Sequence, residues 1–307
     1  MSGRRPVCGV VGVGTLGRCF ADRLRAAGHE VLVHDSAEEA RAWAQIAGID
    51  STPTPRELAA VCDVVLLAVP DTPEIMATLD GPDGLEAGLR PGSALLVLST
   101  VAPETPRRLA ERLRPRGIAV VDAPVSGGPE AAARGTLAIM VGAGSEDFRL
   151  VRPVLGALGE HVVHVGPVGH GELAKLVNNL MGAVIAVAIA EGLTVAAKAG
   201  LDVERTCRAL AGGSGGSWIL ANWIPETALR GDYRRRFGVE LMCKDLALIS
   251  DLAASLGVEV AALELARATF EEARRDGHGD EDFSVVVRRA AEQAGSSAFA
   301  ARRPEGS

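Results

Sequence analysis

The sequence predicts a protein of the α/β class: a doubly wound, mostly parallel sheet followed by an all-α domain built on one long helix. Three observations predict it. Short apolar runs alternate with helical stretches from Val7 to Val165. The first alternation carries Gly12-Val13-Gly14-Thr15-Leu16-Gly17. Finally, Gly169 to Gly200, GHGELAKLVNNLMGAVIAVAIAEGLTVAAKAG, reads as a single apolar rod. These set expected boundaries at residues 1–165, 166–295 and a disordered tail at 296–307.

Val7–Val11 is a short strand, Arg18–Ala27 has helical character, and Glu30–His34 is a second strand ending at Asp35. A GxGxxG between strand and helix, with an acid about 20 residues on, is the dinucleotide-binding fingerprint of a Rossmann domain. Gly12 permits the tight turn, Gly14 lets the backbone approach a pyrophosphate, and Gly17 lets helix and strand pack closely. The helix N-terminus offers N–H groups and a positive dipole end to the phosphates. At Asp35 a carboxylate accepts hydrogen bonds from ribose hydroxyls and repels a 2′-phosphate, and Ser36 and Ala37 follow it where NADP users often carry arginine. The expectation is NAD rather than NADP. The alternatives are that Asp35 caps the next helix, or that Arg41 swings round to it.

Val64–Val69, Ala94–Leu98, Ile118–Val121, Leu137–Val141 and Val162–Val165 continue as strands. Helices near Glu74–Leu79, Pro103–Leu113 and Ser145–Leu158 lie between them. Such alternation implies a parallel sheet covered on both faces, with ligands beyond the C-terminal strand ends. That rule gathers Gly12–Gly17, Val69-Pro70, Ser99-Thr100 and Asp122–Gly128 on one rim. In Asp122-Ala123-Pro124-Val125-Ser126-Gly127-Gly128, the serine and two glycines either cradle an anion or turn into a helix at Pro129-Glu130.

The rod is apolar on nearly every face and therefore expected to be buried. Lys175, Glu191 and Lys198 interrupt it, and its charge-free part is shorter than the ~20 residues a bilayer needs. Lys175 and Asn179 share a face, since residues four apart do, and Asn178 lies beside them. A buried lysine next to a buried amide is costly unless paired or used. Helices are expected at Val203–Leu210, Trp218–Leu229, Lys244–Leu256, Val260–Arg275 and Ser284–Ala294. Excess apolar surface on the rod points to a homodimer or homotetramer.

Composition narrows the classes. Aromatic residues make up 3% of 307 residues, so Ala, Val and Leu build the core. A net charge of −7 argues against a nucleic-acid surface. Five scattered cysteines without CxxC fit a reduced cytoplasm. His161, His164 and His170 have no ligand spacing, so no metal site is expected. No targeting peptide and no membrane span are read, and the expected localisation is cytoplasmic. The Arg234-Arg235-Arg236 run reads as a solvated loop.

The residues resemble the β-hydroxyacid dehydrogenase family, which includes 3-hydroxyisobutyrate dehydrogenase and tartronate semialdehyde reductase. The motifs occur in family order over nearly the whole chain: VVGVGTLG, Ser99-Thr100, DAPVSGG at 122–128, GxGxxxK with NN at 169–179, Lys244-Asp245-Leu246 and Asp282-Phe283-Ser284. The resemblance implies that Lys175 is the acid/base and that Asn179 holds substrate and lysine. Ser126, Gly127 and Gly128 bind the substrate carboxylate, with Asn178 and Asp245 at the same site. Gly12–Gly17, Asp35, Val69, Pro70, Thr100 and Lys244 meet the cofactor. It also implies a short 3-hydroxy acid as substrate. Glu172 departs from the family's frequent Gln, and Trp218 and Trp223 reshape the pocket. An imine reductase and a non-catalytic NAD-binding scaffold are the competing readings, and both usually lack a lysine where Lys175 stands. A 6-phosphogluconate dehydrogenase-like decarboxylase calls for a larger helical domain.

Overall fold

The computed structural model describes residues 4–301. The chain forms two compact units, which meet in sequence at Lys175 and Leu176.

In the first unit the strands are β1 (Cys8–Val11), β2 (Val31–His34), β3 (Asp50–Ser51), β4 (Val64–Leu67), β5 (Ala94–Val97), β6 (Ala119–Asp122), β7 (Val125–Ser126), β8 (Ala138–Gly142) and β9 (His161–Gly166). Their order is β3-β2-β1-β4-β5-β6-β8-β7, with β9 paired to β8. The first six strands pair in parallel, and β8 runs antiparallel to β6 and β7. The chain crosses over beside β1, which opens the crevice where such sheets bind ligands.

Side-chain alternation builds two cores on opposite faces. Cys8 and Val10 of β1, Val64 and Leu66 of β4, and Ala94 and Leu96 of β5 enter one cluster. Val11, Val65, Leu67, Leu95 and Val97 enter the other. Burial on both faces explains why these strands read as continuous apolar runs. Helix starts carry their own signals. The Thr54 hydroxyl accepts from the Glu57 N–H at 3.2 Å with Pro55 following, and Asp71 accepts from the Glu74 N–H at 3.1 Å.

The register sets the rim. Val11 stands beside Leu67, Leu67 beside Val97, and Val97 beside Asp122. The segments leaving these four strands therefore depart from one edge of the sheet.

The second unit is helical. The long helix, His170–Lys198, is the one helix among the described residues long and apolar enough to cross a membrane by length and composition. Its buried face instead forms a protein core: Ala183, Ala186 and Ala190 pack with Trp223, Leu246 and Phe270. Helices Val203–Ala211, Val239–Ser255, Ala261–Ala273 and Val285–Gln293 contribute Cys207, Val239, Leu263 and Val285 to the same core.

Two expectations are corrected here. Trp218–Leu229 is not one α-helix but a π-helical turn, Ile219–Trp223, followed by 3₁₀ turns at Ile224–Glu226 and Ala228–Arg230. Pro225 has no N–H to continue a helix, which explains the break. Residues 296–301 are not a disordered tail. Phe299 is 1% exposed, and its carbonyl accepts from the Tyr233 hydroxyl at 2.7 Å. The rest of the expected tail, 302–307, lies outside the described residues.

Asp282 knits the helical unit. It accepts from the Trp223 indole at 2.9 Å, the Phe237 N–H at 3.1 Å and the Ser284 N–H at 3.0 Å, and it is fully buried. Asp282→Ala strands these donors, each costing about 1–3 kcal/mol. The unfolding transition of the helical unit is expected to fall by roughly 3 kcal/mol or more in urea, and an unchanged midpoint contradicts this.

Candidate active site

The fingerprint loop is shaped by what a side chain would strike. Gly12 has φ +89°, and a Cβ there stands 2.8 Å from the backbone of Ala68. A Cβ on Gly17 stands 1.9 Å from the Gly12 carbonyl oxygen. Gly14 faces open space, with nothing within 4 Å. It is also the N-cap of helix Thr15–Ala26, which has no side-chain cap and no acidic residue in its first turn. Those N–H groups are left for an anion, so the residues present fit the diphosphate of NAD.

Asp35 ends β2 beside this loop. Its carboxylate accepts from the Val13 N–H at 2.6 Å and the Ala37 N–H at 2.8 Å. It therefore closes a side-chain turn after β2 and anchors the fingerprint loop, while helix Glu38–Ala47 starts at Ala37 without a side-chain cap. A carboxylate here has lone pairs left for ribose hydroxyls. Arg41 lies at this corner, donating to the Ser36 carbonyl at 2.9 Å. On the same rim, the Ser99 hydroxyl donates to the Val69 carbonyl, tying the loop after β5 to that after β4. Thr100 is half-buried and Pro70 exposed.

Ser126 ends β7, and Gly127 and Gly128 have φ +130° and +73°. A Cβ on Gly127 stands 2.8 Å from that of Ala131. The two glycines thus do turn the chain into helix Gly128–Arg134, leaving Ser126 half-buried at its start.

Asp122 is the structural centre of the first unit's site. It is fully buried, and it accepts from the Gly169 N–H at 2.7 Å and the Glu172 N–H at 2.9 Å. The end of β6 therefore caps the long helix. Burial pushes the Asp122 carboxyl above its ordinary range, and these donors offset only part of that. The glycines of the Gly169-x-Gly171 motif follow from the docking. Gly169 has φ +90°, and a Cβ on Gly171 stands 2.4 Å from the Met140 carbonyl oxygen. The loop after β5 joins in, because the Val101 N–H donates to the Glu172 carboxylate at 3.2 Å. Lys175, one turn on, is 6% exposed.

In the helical unit, Asn178 donates to Asn179 at 3.0 Å, and Asn179 donates to Asp245 at 2.6 Å. The other oxygen of Asp245 lies 3.3 Å from the Lys244 ammonium. Asp245, 1% exposed, thus orients both Asn179 and Lys244. Trp218 is 55% exposed and lies 5.9 Å from the Trp223 ring. The arginine run is occupied by ion pairs: Arg234 and Arg236 hold Asp232, and Arg235 meets Asp280. These arginines draw the Asp232 carboxyl well below its usual range.

No local motif assigns Asp122 a role, although it stands just before a glycine loop, and Glu172 stands out in sequence only as a departure from Gln. The helical repeat carries the missing signal: residues 172, 175 and 179 are all buried along one stripe of the long helix.

Residues 7–166 match the family described as the NAD binding domain of 6-phosphogluconate dehydrogenase, and residues 169–290 that described as NAD-binding of NADP-dependent 3-hydroxyisobutyrate dehydrogenase. The NAD-dependent L-serine dehydrogenase of Pseudomonas aeruginosa is 33% identical over 282 residues, covering 90% of this chain and 95% of that one. The 2-(hydroxymethyl)glutarate dehydrogenase of Eubacterium barkeri is 31% identical, covering 91% and 93%. The structure of Mycobacterium tuberculosis 3-hydroxyisobutyrate dehydrogenase with L-serine superposes with a TM-score of 0.83 at 30% identity, covering 92% and 98%. The chain belongs to the β-hydroxyacid dehydrogenase family, and it is an NAD-dependent oxidoreductase acting on the CH–OH group.

Proposed function

We propose that this chain interconverts a short 3-hydroxy acid, 3-hydroxyisobutyrate-like, and its semialdehyde or keto acid, with Lys175 as general acid/base. The observation that carries the reading is a buried amine at 6% exposure on the rigid first turns of a helix whose start is capped by Asp122. NAD supplies the hydride acceptor. In oxidation the substrate hydroxyl gives its proton to neutral Lys175 while hydride leaves the carbinol carbon, and C=O forms. In reduction the Lys175 ammonium polarises the carbonyl and returns the proton. Asn179, aligned by Asp245, holds the hydroxyl and the amine in register. Asn178 and Asp245 complete that wall of the substrate site. Ser126, Gly127 and Gly128 take the carboxylate, which fixes the orientation that much of the rate depends on. Val69, Pro70, Thr100 and Lys244 meet the cofactor.

The names of three relatives support a narrower class, although a fourth, the L-threonate dehydrogenase of Cupriavidus necator, is named for a different acid. L-Serine, 2-(hydroxymethyl)glutarate and 3-hydroxyisobutyrate each carry a hydroxymethyl group on the carbon bearing the carboxylate. They differ only in the other substituent of that carbon. The class we assign is therefore the 3-hydroxypropanoates substituted at C2. NADH formation across such acids, matched with 2-hydroxy acids and run against cyclic imines in reverse, tests it. The expected result is kcat/KM at least about a hundredfold higher for 3-hydroxy acids, the scale on which a missing polar contact discriminates. A preference for a 2-hydroxy acid or an imine overturns it.

A second copy of the chain is the partner we assign. Val177, Met181 and Val195 are 49%, 56% and 69% exposed along one stripe of the long helix. Such an apolar strip is unusual on a monomer surface. Light scattering is expected to give a dimer or tetramer, and Met181→Glu is expected to weaken it; a wild-type monomer at micromolar concentration contradicts the assignment. We place the protein in the cytoplasm, in keeping with its five free cysteines.

A further inference from the structure

We propose that Glu172 is a positioning residue that sets the proton affinity of Lys175, holding it charged at neutral pH. The inference rests on the reading of Lys175 as the acid/base.

Glu172 is fully buried in the first turn of the long helix. One carboxylate oxygen accepts from the Val101 N–H at 3.2 Å, and its own N–H is bonded to Asp122 at 2.9 Å. These two bonds fix the residue from both ends. Lys175 follows three residues later, so their Cβ atoms lie about 5–6 Å apart on one face. A carboxylate in a helix's first turn is stabilised by the positive end of the dipole, so this position favours a negative charge.

Burial alone drives a lysine towards its neutral form, and an opposite charge nearby drives it back. The other titratable groups around this turn are Asp122 on β6, itself bonded to the turn, and His170 and Arg107 at the helix start near Gly166 and Gly169. The following turn carries neutral Asn179, whose partner Asp245 has its charge matched by Lys244. Asp122 spends both oxygens on backbone N–H groups and is pushed towards protonation, which leaves Glu172 as the carboxylate on the lysine's own face. The same carboxylate is bonded to the loop of Thr100-Val101, so it couples the lysine's charge to the cofactor rim. A Gln at this position keeps the shape and the acceptor and loses the charge. This chain is accordingly poised to donate a proton, and its oxidation direction requires higher pH.

The test is the pH profile of kcat/KM for oxidation, with NAD⁺ saturating, in wild type and Glu172→Gln. Oxidation rises with pH as Lys175 loses its proton. Removing the carboxylate lowers the amine's pKa, so the acidic limb is expected to move down by about 1–3 pH units, and the basic limb of the reduction profile by the same amount. Glu172→Asp, which restores charge, is expected to move the limb back towards wild type. An unshifted limb in a folded Glu172→Gln overturns the inference. Independently of any variant, the pH dependence of Lys175 acetylation by acetic anhydride, read by mass spectrometry in wild type, reports the amine directly. Half-protection well below the ordinary lysine range of about 10.4 overturns it too. Failure of the underlying reading is distinct: Lys175→Met then turns over normally, with the same limb.

Discussion

Lys175→Met is expected to lower kcat in both directions by ~10²–10⁴, the usual worth of a positioned acid/base, while NAD binds as in wild type. Methionine keeps the stem volume and removes the amine, so the buried site at 6% exposure retains its packing. With Lys175 in its proposed role the loss is expected to fall on kcat, and KM is expected to change little. NAD affinity is insulated, since the groups fitted to the diphosphate, Gly12 to Gly17, lie on a different loop of the sheet edge. Near-normal turnover removes Lys175 from the mechanism.

The second large effect separates two glycines of one motif. Gly17→Ala forces a Cβ to 1.9 Å from a backbone oxygen of Gly12, with no flexible side chain to yield. Loss of stability beyond the ~1–3 kcal/mol of ordinary overpacking is expected. Gly14→Ala meets nothing within 4 Å, so the fold is expected to keep its stability to within about 0.5 kcal/mol. Under the proposed assignment of this loop, its methyl group occupies the open space offered to the diphosphate. NAD affinity is expected to fall at least about tenfold, or ~1.4 kcal/mol. Thermal melting with calorimetric NAD titration reads both quantities. Equal affinity in Gly14→Ala contradicts the assignment of that loop.

The first unit was legible because its strands are buried on both faces and so stand out as unbroken apolar runs. The rod was legible because Gly169 and Gly200, with φ +90° and +81°, are the glycines its two ends require. Two-residue strands such as Asp50–Ser51 leave no periodicity to read. Val125-Ser126 reads as loop in sequence, because its partner strand β8 is antiparallel and comes from a later part of the chain. Trp218–Leu229 has a helical pattern that Pro225 interrupts, and the tail hides one aromatic anchor, Phe299, among alanines and serines. At the site, Asn179 and Lys175 were visible from helical spacing. The bonds from Asp122 and Asp245 that hold them join residues 47 and 66 positions apart, which no local pattern encodes.

A crystal structure of the protein with NAD⁺ and a C2-substituted 3-hydroxypropanoate, trapped at a pH too low for turnover, tests the account most directly. The predicted result is the Lys175 nitrogen about 2.6–3.2 Å from the substrate hydroxyl, with the carbinol carbon against the nicotinamide ring. A lysine nitrogen turned away from the substrate, or walled off from it by another side chain, contradicts the account.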